Sequence, residues 1–373
     1  RDTDRSRGLG DVYKRQNLPR ITDLRGKYMR KIKVAIIGAG QIAQTTHIPA
    51  FKSMENVEIV GVSDTYENVA GKVAKDFDIP FSCSSHLELL EKCNPDAVSV
   101  CVPNKFHYPI VMDALDRGCH VMCEKPPAIS YSQAKEMADK AKSKGLILTY
   151  DFHFRYGTNV AILKDLIENG KMGQIYYTKV QWLRKAGVPG WGNFISKDMQ
   201  GGGPLIDIGA HMLDIALYLL DYKKVSYVSA ISSNLIGTKQ SNGLMGSWNP
   251  EKYTVEDGLF GNIVFEDGTG IGIETTFALN MKEKDVRAVK VYGDELGASL
   301  FPLEIYSGSN RNYQAVNYPY ISDGDLHNKA LENFIDAIEG KEEVLVKAGE
   351  GAYIQMIIEA LYKSAEKKEP VFL

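Results

Sequence analysis

The feature that most constrains the fold is a glycine turn set between an apolar strand and a helix. KVAIIG (33–38) is a continuous, largely β-branched run, the pattern of a parallel strand covered on both faces. It passes directly into Gly38-Ala39-Gly40-Gln41-Ile42-Ala43 and then a helical segment reaching Phe51. In a G-x-G-x-x-[GA] turn the first glycine admits the tight bend and the second lets backbone approach a phosphate. The third small residue packs the helix on the strand, so its N–H groups and dipole face an anion. Further strands are expected at VEIVGVSD, AVSVCV (97–102), HVMCE (120–124) and LILTYDF. Helices are expected at 66–76, at 106–117 ended by Gly118, and at 131–144 ended by Gly145. This alternation implies a right-handed, doubly wound parallel α/β sheet, a Rossmann domain.

Beyond about residue 155 the character changes. A helix near 159–169 is followed by IYYTKVQWLR, VSYVSAISSN, GLFGNIVFED, GTGIGIETTFAL and AVKVYGD. Their alternation and Gly/Asp turns predict a large, mostly antiparallel open sheet in an α+β domain. One long helix is expected near 205–220 and two more near 326–339 and 350–366. A chain of 373 residues exceeds what one core usually supports. The expected division is a dinucleotide domain over 29–155 and a substrate and oligomerisation domain over 156–373, with the C-terminal helices free to pack back on the first.

Residues 1–28 stand apart: eight Lys/Arg face four Asp/Glu, with little to build a core. We read them as a disordered, non-native leader, with DVYKRQ resembling translated adaptor DNA and Met29 as the start; a genuine basic tail is the rival. The net charge of −3 without single-sign blocks gives no reason to expect nucleic acid. No apolar run is long enough for a membrane span. MRKIKVAIIGAG lacks the cleavage region of a signal peptide, so a cytoplasmic protein is expected. Five cysteines without a C-x-x-C pair do not form a disulfide or zinc pattern. Cys101, Cys119 and Cys123 read as packing residues. Strand alternation scatters Cys119, His120 and Cys123, so no metal is expected.

Asp64 ends the second strand 21 residues after Ala43, where a carboxylate can accept from adenosine ribose hydroxyls. Thr65 and Tyr66 offer no cation for a 2′-phosphate, which favours NAD over NADP. The alternative is that Asp64 only caps the following turn.

Three further motifs follow in order: Pro103-Asn104-x-x-His107, Glu124-Lys125-Pro126, and GGGPLIDIGAH from Gly201 to His211. With the glycine turn, they make residues 31–373 resemble the glucose–fructose oxidoreductase/inositol dehydrogenase (Gfo/Idh/MocA) family. Pro126-Pro127 departs from the commoner E-K-P-[LMI], with a small expected effect on loop shape. The resemblance implies catalysis by Lys125, Asp207 and His211. It implies dinucleotide contacts at Gly38, Gly40, Gln41, Ile42, Asp64, Pro103, Asn104, His107, Glu124 and Lys125, and a homodimer or homotetramer built through the second-domain sheet.

The residue types suit that chemistry. Oxidising an alcohol by hydride transfer needs a base for the hydroxyl proton and a charge for the developing alkoxide. Asp207 and His211 are four apart, so on an α-helix Asp207 could orient the imidazole of His211, leaving it a base. Lys125 ends a parallel strand, where open sheets place ligands. The structural alternatives are a solvated loop lysine, a satisfied core histidine and a first-turn carboxylate. Substrate candidates are His153, Arg155, Trp182, Arg184, Trp191 and Asn193, with RKAGVPGWGNF as a specificity loop, or Trp191 as only its anchor. The expected reaction is NAD-dependent oxidation of a secondary hydroxyl on a cyclitol or pyranoside. The rivals are a redox-neutral glycosidase or lyase working through a transient ketone, and a non-catalytic dinucleotide-binding regulator.

Overall fold

The computed structural model of the protein describes residues 30–309 and 312–373. The expected leader and the start at Met29 lie outside the described residues. In chain order the first domain holds β1 (Ile32–Ile37), α1 (Ile48–Ser53), β2 (Val57–Ser63), α2 (Glu67–Asp76), β3 (Ser82–Cys83), α3 (His86–Cys93), β4 (Ala97–Val100), α4 (His107–Asp116), β5 (His120–Cys123), α5 (Tyr131–Lys144) and β6 (Leu148–Tyr150). All six strands pair in parallel, in the order β3-β2-β1-β4-β5-β6. The order reverses between β1 and β4, and the crevice beyond their carboxyl ends is where such sheets bind ligands. The unbroken apolar run of β1 serves two cores. Ala35 and Ile37 join Val98, Val100 and Val121 on one face, while Val34 and Ile36 join Ile59 and Val62 on the other. Local signals fix α5: the Ser130 hydroxyl accepts from the Gln133 N–H, and Gly145 at φ +65° ends the helix. The short β3 and α3 were not expected, since two and eight residues carry too little periodicity to register.

The second domain continues with α6 (Thr158–Glu168), β7 (Ile175–Arg184), α7 (Lys197–Gln200), α8 (Ala210–Leu219), β8 (Val225–Ser233), β9 (Asn242–Gly243), β10 (Gly246–Ser247), β11 (Gly258–Phe265), β12 (Gly270–Thr276), β13 (Asp285–Gly293), β14 (Leu296–Leu300), β15 (Glu304–Ser309), β16 (Asn312–Asn317), α9 (Leu326–Ile338), α10 (Ala348–Lys367) and β17 (Val371–Phe372). Nine of these strands form one sheet, β16-β15-β14-β13-β7-β12-β11-β8-β17. Every pairing is antiparallel except β7 with β12. Tyr176, Ile231, Tyr313 and Val316 of this sheet stay exposed. Among the described residues no helix is long and apolar enough to cross a membrane.

The last two helices join the domains. Leu331, Phe334 and Ile335 of α9 enter the first domain's core, beside Ile36 and Phe51. Ile354, Ile357, Ile358 and Leu361 recur at helical spacing on α10 and are fully buried. They fill the space between α5 and β6 on one side and α8 and β8 on the other.

The helix expected over 205–220 has two parts. A π-type turn, Leu205–Gly209, precedes α8, and a second π-type turn, Ala43–His47, precedes α1. Such turns carry an extra residue and cluster at functional sites. Glu256 holds the start of the first: its carboxylate accepts from the N–H groups of Gly203 (2.9 Å) and Leu205 (3.2 Å) and from the Tyr362 hydroxyl (2.8 Å). Gly203 must be glycine for this approach, because a Cβ there would lie 2.6 Å from the Glu256 carbonyl oxygen.

Arg155 corrects a sequence expectation. Its side chain is fully buried and does not line a cleft. The guanidinium binds both Asp214 oxygens at 2.6–3.0 Å, the Leu345 carbonyl at 3.0 Å, Glu350 at 2.5 Å, and the Tyr222 hydroxyl. Two carboxylates and a carbonyl outcompete water for it, so it ties the exit of β6 to α8 and α10. Removing one member leaves an uncompensated buried charge, at a cost of about 3–5 kcal/mol. Arg155→Ala should therefore lower the unfolding free energy by about that much in a denaturant titration, and a loss below about 1 kcal/mol would contradict this role.

Candidate active site

The site begins at the glycine turn. Gly38 has φ +94°, and a Cβ there would sit 2.4 Å from the Cys101 carbonyl oxygen, so the turn requires glycine. Gly40 is exposed, and a Cβ on it would meet nothing within 4 Å, which leaves open space beside its backbone. Gln41 is exposed and Ile42 half-buried. Asp64 accepts from the Ala39 N–H with one oxygen and from the Tyr66 N–H with the other, each at 3.0 Å. It thus ties the turn to the end of β2, while a carboxylate's remaining lone pairs can still accept ribose hydroxyls. A tight first glycine, an open second and a carboxylate at the strand end fit the diphosphate and ribose of a dinucleotide.

Two expected dinucleotide contacts face protein instead. His107 is fully buried, with Nδ1 2.8 Å from the Pro126 carbonyl and Nε2 2.9 Å from that of Val102. The neutral ring donates to only one of these carbonyls, but both nitrogens face protein between the loops after β4 and β5 rather than a cofactor. Burial pushes its pKa down. The Asn104 amide donates to the Gln200 carbonyl at 2.9 Å and so joins the β4 loop to α7. Pro103 stands just before it, half-buried.

Lys125, Asp207 and His211 converge, with a different pairing from the one expected. The Lys125 ammonium donates to Asp207 Oδ1 at 2.8 Å and to the Asp207 carbonyl at 2.9 Å, and both side chains are 16% exposed. Asp207 makes no hydrogen bond to His211 among the described residues; a full positive charge outcompetes a neutral imidazole for the carboxylate. The π-type turn, rather than an α-helical turn, carries Asp207 to Lys125. His211 lies among the rings of Phe152, Phe154, His153 and Trp182 at 5.0–6.1 Å, with Nδ1 buried and unpartnered. Burial, then the Lys125 charge, holds its pKa well below the usual histidine range, so it stands neutral and able to accept a proton.

Behind these residues is a polar wall in which Glu124 and His153 were expected at the site, while His47, Ser99, Asp151 and His327 gave no sequence signal. His47 Nδ1 contacts the Ser99 hydroxyl at 2.8 Å and Nε2 contacts Glu124 Oε1 at 3.0 Å. Glu124 Oε2 also accepts the Lys125 N–H at 3.1 Å, which fixes the loop bearing the ammonium. Burial would raise the Glu124 carboxyl, but His47 and Lys125 pull it down to about 2. Asp151 Oδ2 contacts His327 Nδ1 at 2.6 Å, and the His327 and His153 rings stack with centroids 3.6 Å apart. By spacing alone Asp151/His153/His327 and His47/Glu124/Asp151 each resemble a metal-ligand group. The 2.6 Å Asp151–His327 contact is a direct hydrogen bond, shorter than the roughly 3.3 Å between two tetrahedral ligands on one ion. Cys119 and His120 are engaged separately, with the Pro95 carbonyl and the Ile147 N–H.

Toward the second domain, Arg287 sits 4.8–5.4 Å from the ring centroids of Phe154, Trp182 and Phe301. Arg184 lies over Trp182 at 5.3 Å and 3.7 Å from Asp285. Trp191 and Asn193 are exposed on the glycine-rich loop, and Trp191 meets Phe194 of the same loop edge-on.

Comparison with known proteins agrees with this architecture. Residues 32–152 match the Gfo/Idh/MocA oxidoreductase family's NAD-binding Rossmann fold, and residues 164–373 match its C-terminal alpha/beta domain. The chain is 44% identical over 335 residues to a D-glucoside 3-dehydrogenase of Escherichia coli, covering 90% of this chain and 95% of the relative. It is 31% identical over 239 residues to a glucose-6-phosphate 3-dehydrogenase of Bacillus subtilis, covering 62% and 67%. A levoglucosan dehydrogenase solved with NADH and levoglucosan shares the fold, with a TM-score of 0.78 at 22% identity, over 92% of this chain and 99% of that one.

The Gly38 geometry gives a direct test. Gly38→Ala should weaken NAD binding in a fluorescence titration by about tenfold or more, equivalent to about 1.4 kcal/mol. Unchanged affinity would contradict the placement of the cofactor at this turn.

Proposed function

The chain belongs to the Gfo/Idh/MocA oxidoreductase family, and on that premise we propose that it oxidises the 3-hydroxyl of a glucoside, or reduces the corresponding ketone, with NAD(H). The observation that carries this reading is the meeting of Lys125, paired to Asp207, with a neutral buried His211 at the carboxyl edge of the parallel sheet. The 44% identical D-glucoside 3-dehydrogenase supports the choice of hydroxyl.

Bound at the glycine turn, the nicotinamide would accept the hydride. Gly38, Gly40, Gln41, Ile42 and Asp64 would hold the dinucleotide, with Pro103 and the Glu124–Lys125 loop beside it. His211 removes the hydroxyl proton. Lys125 donates a hydrogen bond to the same oxygen and stabilises its negative charge as it develops. Asp207 aims the ammonium. The rings of Trp182 and Phe154 offer flat apolar faces to a sugar, and His153, Arg184 and Arg287 offer donors around its hydroxyls. Trp191 and Asn193 would approach the sugar from the exposed loop. Asp64 favours NAD over NADP, because a 2′-phosphate would meet its carboxylate. We also infer a cytoplasmic protein that self-associates through the nine-stranded sheet.

The test is NADH formation by purified protein with methyl glucosides, free aldoses and inositols. Glucosides should give the signal, with NAD preferred to NADP by about tenfold. Aglycone release without net NADH would instead identify redox-neutral elimination. Lys125→Met and His211→Ala should each cut turnover by about 10²–10⁴-fold while NAD still binds. Near-normal turnover in either would contradict its role.

A further inference from the structure

Each alcohol oxidised releases a proton, yet the histidine placed to take it is 6% exposed. Apart from Lys125, its surroundings are mostly rings that carry no proton: Phe152, Phe154 and Trp182. The exception is His153, whose centroid lies 5.0 Å from that of His211. The His153 and His327 rings lie with centroids 3.6 Å apart and tilted by 31°, and Asp151 faces both, with Oδ2 2.6 Å from His327 Nδ1 and Oδ1 3.8 Å from His153 Nδ1. Of the three, His327 is the most exposed, at 26% of its side chain against 12% for His153 and 0% for Asp151.

We propose that His153, Asp151 and His327 form the route by which the proton taken up at His211 reaches water, with His327 as the outlet. The proposal rests on the dehydrogenase reading above. The balance per turnover is R₂CHOH + NAD⁺ → R₂C=O + NADH + H⁺. The C–H electron pair leaves as hydride to the nicotinamide, and the O–H pair becomes the second carbon–oxygen bond. The proton passes from His211 to His153 and on to Asp151, whose carboxyl gives it to His327 Nδ1 as the Nε2 proton of His327 leaves to solvent.

A purely structural Asp151–His327 pair does not account for the other side of Asp151. Oδ1 and His153 Nδ1 are both buried without a hydrogen-bond partner and face one another across 3.8 Å. Leaving such atoms unpaired is costly, and a small rotation of either side chain lets one proton bridge them. His211 Nδ1 is the third unpartnered atom of the series. The neighbouring branch is closed: His47 is fully buried and held by Ser99 and Glu124.

The surrounding charges set a downhill direction. Asp151, Glu124 and His47 act on His327, and against the effect of burial the Asp151 contact raises its pKa. Burial pulls His153 down to about 4. Burial, then Lys125, His153, His327 and Arg287, depress His211. A proton released inside therefore moves toward His327.

The test compares wild type with His327→Gln and His327→Ala, using a glucoside at saturation, dilute buffer and neutral pH. Gln keeps a donor toward Asp151 but takes up no proton, so it separates hydrogen bonding from relay. Both variants should bind NAD with wild-type affinity and keep the sugar KM, while kcat falls by about tenfold or more. Added imidazole should restore His327→Ala in proportion to the free-base concentration. Three results would overturn the relay: wild-type kcat in both variants, full activity in the Gln variant, or a loss that imidazole does not restore. A stoichiometric divalent ion in wild type that is lost from both variants would also overturn it, in favour of a metal site. NADH formation absent from the wild type with every sugar would instead sink the dehydrogenase reading and take the relay with it.

Discussion

The site depends on one ion pair that crosses between the domains. Lys125 ends a parallel strand of the first domain, and Asp207 lies in the helical entry of the second, 2.8 Å away. At 16% exposure neither group is well solvated, so each needs the other. The pair does two things together. It aims a cation whose charge reaches His211, and it ties the two halves of the site together. The Lys125–Asp207 carbonyl bond adds a second point of attachment, so the ammonium is located as well as neutralised.

Much of the surrounding structure serves to hold those two residues. On the Lys125 side, Glu124 is bound by His47 and receives the Lys125 N–H, while His107 ties the adjoining Pro126 carbonyl to the β4 loop. On the Asp207 side, Glu256 and Tyr362 hold the Gly203–Leu205 backbone. A π-type turn at each place, Ala43–His47 and Leu205–Gly209, brings a polar residue out of ordinary helical register and into the site. Both helices begin after small, glycine-rich segments, and a carboxylate holds each entry, Glu124 through His47 and Glu256 through Gly203 and Leu205. Farther out, α9 and α10 close the domains over a shared core, and Arg155 locks α8, which carries His211, to α10.

What could be read in the sequence was what local chemistry determines. KVAIIG and the glycine turn identified the strand, the bend and the open approach at Gly40, because each depends on residues a few positions apart. Gly145 marked the end of α5 for the same reason. What could not be read was set by distant partners. Asp207 and His211 sit four apart, which suggested mutual contact on an α-helix, but the π-type turn and a lysine 82 residues away decided otherwise. Arg155 looked like a cleft residue because nothing nearby shows that Asp214 and Glu350, 59 and 195 residues on, enclose it. His107 sits in a motif shared with dinucleotide enzymes, yet both ring nitrogens face backbone carbonyls of the protein. His327 reaches Asp151 across 176 residues from a segment with no motif of its own.

On the proposed reading, a ring carbon beside Lys125 and His211 delivers hydride to a nicotinamide held at the glycine turn. Turnover of a methyl glucoside carrying deuterium at carbon 3 tests it most directly, with the reduced cofactor examined by mass spectrometry. The prediction is one deuterium per NADH and a primary isotope effect on the rate. NADH free of label, or deuterium appearing in water instead, would contradict it.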